Sequence, residues 1–171
     1  MVQDGRTEWI LFSKHPRTSV NVYSESPPLP YGTGNPQRLF QTVSSLPGVA
    51  RVLDLGCNAA CWASIFQGKE YYGLDQDLEI FERARENAPH GIFVQGCGES
   101  IPFRDEFFDL VFTSHVLQHN SHFPEKDALV RELHRVVRPD GFALVREGPA
   151  RTQVQSYMVL DQVREGFPAV P

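Results

Sequence analysis

Three cysteines in 171 residues, no run of lysines and arginines, and no long apolar stretch set the first limits. Cys57, Cys61 and Cys97 are odd in number and lack the CxxC spacing. That pattern predicts reduced thiols rather than a disulfide framework, and no metal site, since no histidine or further cysteine stands near Cys57 and Cys61 to complete one. With 21 acidic against 16 basic residues and a net charge of −5, nothing can track a phosphate backbone, so nucleic acid is not an expected partner. No segment approaches the roughly 20 apolar residues that a membrane helix needs. The opening "MVQDGRTEWILFSKH" has no basic region followed by a long apolar one, so no secretory leader is expected. These absences lead to the expectation of a soluble, cytoplasmic protein without a membrane partner. Internal repeats and low-complexity tracts are also missing.

What is present is a composition of 41% hydrophobic residues, enough for one domain with a proper core. Residues 1–34 read as an irregular arm or lid, broken by Pro27, Pro28 and Pro30. The domain proper is expected over 35–171. Asn35-Pro36 reads as an N-cap followed by proline at the first helical position, opening a helix through "QRLFQTVSSL" that stops before Pro47-Gly48. Thereafter apolar runs alternate with amphipathic ones. "VARVLDL", "EYYGLD", "GIFVQG", "FFDLVFTS" and "GFALVREG" read as strands, and "ACWASIFQ", "DLEIFERAREN" and "EKDALVRELHRVV" as helices. Such alternation predicts an α/β fold, a Rossmann-like doubly wound, mostly parallel sheet with helices on both faces. The remaining tail has room for a helix from Thr152 to about Glu165.

Chemistry concentrates where strands end. "LDLGCNAACW" follows a strand and is read as opening a helix, the place where free backbone amides meet a ligand. Gly56 allows the turn, and Asn58 accepts a left-handed backbone more readily than most residues. Asp54 puts a carboxylate where a phosphate is disfavoured and a cation or free amine is suited. Asp75, about twenty residues beyond that first loop, is placed to accept hydrogen bonds from both hydroxyls of a ribose, with Asp77 left to cap the next helix. "SHVLQHNSH" brings His115, His119 and His122 just past a strand. Phe103, Phe107, Phe108 and Phe112 read as core.

Five pieces in order, "VLDLGCNAA", "GLD", "GCGESIPFRDEFFD", "VLQH" and "RVVRPDG", resemble the class I S-adenosylmethionine-dependent methyltransferases, in particular the small-molecule type. The resemblance runs from Arg51 to Glu147. It implies S-adenosylmethionine as cofactor and S-adenosylhomocysteine as product. Carried over by position, Asp54, Gly56 and Asn58 belong to the loop at the methionine part, Asp75 to the ribose, and Gln76 with Cys97, Gly98 and Glu99 to the adenine. Ser114 lies near the transferable methyl, and His115 and His119 are the candidate catalytic residues. Asn58 and Ala60 stand where the family has two glycines, Cys97 where it has a carboxylate, and Asp140 where it has the first glycine of a Gly-Gly turn.

Methyl transfer is an in-line displacement at a sulfonium, in which the protein chiefly aligns the reactants. A general base is needed only for a protonated hydroxyl or a carbon acid, and histidine suits it near neutral pH. The expected activity is therefore methyl transfer to a small-molecule acceptor. The competing reading is a protein that keeps the fold without the catalysis and serves as a binding or regulatory subunit. A nicotinamide oxidoreductase is disfavoured because "GCNAAC" lacks the glycines that admit a pyrophosphate. The C-terminal antiparallel hairpin of the family is expected to be missing, leaving a sheet edge for the tail, a second copy or a protein partner.

Overall fold

The computed structural model describes residues 8–13, 36–116 and 123–147. Strand β1 spans Glu8–Ser13, β2 Arg51–Leu55, β3 Glu70–Asp75, β4 Ile92–Gln95, β5 Phe108–Ser114 and β6 Val137–Glu147. Helix α1 spans Pro36–Ser45, α2 Phe81–Asn87 and α3 Phe123–Val136. The strands form one sheet in the order β1-β6-β5-β2-β3-β4. Neighbours from β4 across to β6 run parallel, and β1 lies antiparallel on β6 with Glu8 opposite Glu147 and Ser13 opposite Phe142. This is the α/β, Rossmann-like sheet expected from the alternation of runs.

Two apolar cores sandwich the sheet. Leu53, Leu55, Leu74, Val111 and Val145 meet Leu129, Val130, Leu133 and Val136, the inward stripe of α3, on one face. On the other, Val52, Tyr71, Leu110, Phe112 and Leu144 meet Leu39 and Val43 of α1 and Ala84 of α2. Phe108 and Phe112 are fully buried on opposite faces of the sheet, and Phe103 and Phe107 pack against the core that holds Phe108, so the aromatic set is core as its sequence suggests. Asp109 ties three elements together at the start of β5. Its Oδ2 accepts from the amides of Ala50 and Arg51 at 2.8 and 2.7 Å, and its Oδ1 pairs with Arg138 Nε at 2.7 Å.

Several elements differ from their sequence reading. The arm before residue 35 contains a strand, because Glu8–Ser13 pairs along β6. That pairing also covers the edge of β6 expected to stand open. "ACWASIFQ" yields only a 3-10 turn at Ala63–Phe66, and Ala60, with a left-handed φ of 54°, lies outside any right-handed helix. Helix α2 begins at Phe81, with Ile80 rather than Asp77 at its cap. Asp77 instead accepts from the amide of Glu79 at 2.9 Å, which closes a turn ahead of the helix. Asp140 in place of glycine is harmless, being exposed. Gly141 is the residue that must lack a Cβ, which would lie 2.8 Å from the Asp109 carbonyl oxygen. The tail helix expected after Thr152 and the cap at Asn35 lie outside the described residues.

Candidate functional site

Strand order reverses between β2 and β5, and the loops leaving their C-terminal ends face each other, the usual ligand crevice of an open parallel sheet. The two loops touch. Gly56 has a φ of 70°, and a Cβ there would fall 2.3 Å from Val116 Cγ2. Only glycine fits both constraints.

The loop after β2 folds by returning to β3. Leu74 O accepts from the amides of Gly56 and Cys57 at 2.8 and 3.1 Å. Asp75 Oδ2 accepts from the amide of Asn58 at 2.9 Å, and Asn58 Oδ1 accepts from the amide of Ala59 at 2.6 Å. Asn58 and Ala60 have φ of 48° and 54°, so both residues hold a backbone conformation that favours glycine. No α-helix follows this loop, so it brings no helix dipole to a ligand, and its amides from Gly56 to Ala60 all donate within the protein.

Asp54 is 2% exposed at the end of β2. Burial, with the nearby charge of Asp75 adding to it, pushes its carboxyl up to about 7, while the Tyr71 hydroxyl, donating to Oδ2 at 2.6 Å, pulls the other way. The Cys57 thiol is buried beside both carboxylates, and burial first, then their charges, hold it well above the ordinary thiol range. It is therefore a packing residue and no nucleophile.

Asp75 is half-buried at the end of β3. Its Oδ1 accepts from the amide of Asp77 at 3.2 Å, so each carboxylate oxygen has one partner and one lone pair to spare. Its carbonyl accepts from the amide of Gly96 at 3.0 Å, which places the Cys97–Gly98–Glu99 turn beside it. Gln76 is exposed on the same side, its carbonyl accepting from Gln95 Nε2 at 3.0 Å. Cys97 is exposed and bridges to Ser100, Gly98 backs onto Leu129, and Glu99 is half-buried. Ser114 closes β5, and His115 follows it half-buried with a φ of 61°. A left-handed histidine at a strand end is the kind of strained backbone that gathers at ligand sites. His119 and His122 lie outside the described residues.

Three participants carry no local signal in the sequence. Tyr71 holds Asp54; Asn87, at the end of α2, donates from Nδ2 to the Ala59 carbonyl at 2.7 Å; and Arg135 grips the turn beyond Glu99. Arg135 donates to the carbonyls of Ile101 and Phe103, each at 2.8 Å, and pairs with Glu132 and Asp105. Glu132 in turn accepts from the Ile101 amide at 2.7 Å. Among the described residues no three histidine, cysteine, aspartate or glutamate side chains gather to hold a metal ion. Nor is any helix there long and apolar enough to cross a membrane.

Comparison with known proteins matches residues 53–145 to the family described as a methyltransferase domain. An uncharacterised methyltransferase of Synechocystis is 37% identical over 110 residues, 62% of this chain and 50% of that protein. A fatty-acid O-methyltransferase of Mycolicibacterium smegmatis is 32% identical over 113 residues, 63% of this chain and 40% of that protein. The chain thus spans half or less of the length of these relatives. In fold it is similar to a TehB-like SAM-dependent methyltransferase from Corynebacterium glutamicum, with a TM-score of 0.65 at 22% identity over 79% of this chain and 74% of that one.

Proposed function

The chain belongs to the methyltransferase domain family, within the class I S-adenosylmethionine-dependent methyltransferases, and from that premise we propose that it carries a methyl group to a small-molecule acceptor. The observation that carries this reading is the left-handed backbone at Asn58 and Ala60, which preserves the loop shape without its glycines. When bound, the cofactor supplies an activated methyl on a positively charged sulfur. The donor set fits it. Asp75 keeps a lone pair on each oxygen for the two ribose hydroxyls. Gly56 and Asn58 present backbone for the methionine part, with Asp54 buried behind them as a latent negative charge. Gln76 and the Cys97–Glu99 turn, adjoining Asp75, are assigned to the adenine, where the Cys97 thiol gives a weaker contact than a carboxylate would. Ser114 and His115 are assigned to the methyl end, and His119 follows them in sequence.

The M. smegmatis relative is named for methylating a fatty acid, so a carboxylate is the first acceptor to try. An ionised carboxylate needs no general base, and His115 would then only orient it; a hydroxyl acceptor would need His115 to take a proton. The test is transfer of labelled methyl from S-adenosylmethionine to a panel of fatty acids and small hydroxy and amino compounds, with His115→Ala alongside. Transfer to any member supports the reading. A protein that binds cofactor yet methylates none of them favours the binding-subunit reading instead.

A further inference from the structure

Left-handed backbone at an alanine is unfavourable, and it persists only where its surroundings over-determine it. At Ala60 the peptide joining Ala59 to Ala60 is tied at both ends. The Ala60 amide donates to the Cys57 carbonyl at 2.8 Å, a contact made within the loop itself. The Ala59 carbonyl accepts from Asn87 Nδ2 at 2.7 Å, a contact made across 28 residues from the last turn of α2. Amide and carbonyl share one rigid plane, so turning that peptide to release Ala60 would break both bonds together.

The clamp has a supported base. Phe81 and Ala84 bury one side of α2 against the sheet, with Phe81 packed on Phe93 at a centroid distance of 5.7 Å. Asn87 is itself exposed, so it contributes little packing, and alanine is the better helix former at its position. Its side-chain amide is committed to the loop.

We propose that Asn87 is a positioning residue for the cofactor loop, its amide clamping the Ala59–Ala60 peptide in the shape that glycines would otherwise allow. This rests on the methyltransferase reading. Asn87 touches no reacting atom; it acts through the loop. The clamp secures, by a contact from α2, a backbone conformation that glycine would adopt without strain.

The test combines calorimetric titration of the full chain with S-adenosylhomocysteine and hydrogen exchange at the Ala60 amide in the ligand-free protein. Asn87→Ala, and Asn87→Asp, which is nearly isosteric but cannot donate, are each expected to weaken binding about three- to tenfold, the range of one lost neutral hydrogen bond. Both should also speed exchange at Ala60, while thermal unfolding of Asn87→Ala stays close to the wild-type temperature because the gain in helix propensity offsets much of the lost bond. In an Ala60→Gly background the loss from Asn87→Ala should shrink to less than about twofold, because glycine needs no clamp. Wild-type affinity and exchange in both variants would overturn the inference and leave the methyltransferase reading standing. An equal loss with and without Ala60→Gly would also overturn it, since Asn87 would then act elsewhere than on the strained peptide. A wild-type protein that binds no cofactor would overturn the methyltransferase reading, and unchanged exchange at Ala60 would separately overturn the clamp.

Discussion

Tyr71 donates a 2.6 Å hydrogen bond to Asp54 Oδ2, and both residues are buried, at 7% and 2% exposure. Val52 faces Tyr71 across β2 and β3, so Tyr71 reaches Asp54 along the same sheet face, two residues on. Burial raises the Asp54 carboxyl from 3.8 to about 7 in the folded chain. The native state therefore holds a proton over a range in which the unfolded chain has released it. Stability from this group is fully present below pH 4 and is lost as pH rises towards 7. Urea midpoints of wild type and Asp54→Asn, measured from pH 5 to 8, should show the decline in wild type and a flatter profile in the variant. Parallel profiles would contradict this.

Tyr71→Phe removes the partner without changing the packing shape. At pH 8 Asp54 is charged and the lost bond is charge-assisted, costing about 1.5–3 kcal/mol; at pH 5 it is neutral and costs about 0.5–1.5 kcal/mol. The difference in urea unfolding free energy between the two pH values is the readout, and a cost independent of pH would count against the pairing.

Gly56 and Gly68 form a matched comparison. Both are left-handed, at φ 70° and 77°, yet a Cβ at Gly68 meets nothing within 4 Å while one at Gly56 strikes Val116. Gly68→Ala is expected to cost about 1–2 kcal/mol, the backbone term alone. Gly56→Ala adds about 1–3 kcal/mol of overpacking and should also weaken cofactor binding. Thermal unfolding of the two variants ranks them directly.

Arg135 acts through its planar fork, which serves two carbonyls and two carboxylates at once. Arg135→Ala should destabilise by on the order of 2 kcal/mol, and Arg135→Lys should recover only a fraction because an ammonium cannot span those partners. Chemical denaturation of both variants checks it. Full recovery by lysine would show that charge alone matters.

Local patterns carry most of the fold. Strand β3 occupies the limits that "EYYGLD" marks out, because that run is apolar on both faces and Asp75 ends it. Helix α3 declares itself by the spacing of Leu129, Leu133 and Val136. The N-terminal strand rests on one short apolar run, "WILF", inside a segment that otherwise reads as irregular, and its partner, β6, lies over a hundred residues away. Distance along the chain also hides the site's supports. Asp75 carries a recognisable spacing from the first loop, whereas Tyr71 and Asn87 meet Asp54 and Ala59 only through strand register and the placement of α2. Asn58 and Ala60 look like defects in the sequence because it displays residue types and not φ angles.

The most direct measurement is calorimetric titration of the full chain with S-adenosylmethionine and S-adenosylhomocysteine, beside Asp75→Ala. Asp75 both anchors Asn58 and offers two lone pairs, so its loss would remove the proposed ribose contact and loosen the loop. Micromolar binding by wild type and at least a tenfold loss in Asp75→Ala, about 1.4 kcal/mol or more, are the expected results. Absence of binding by wild type, or equal binding by the variant, would contradict it.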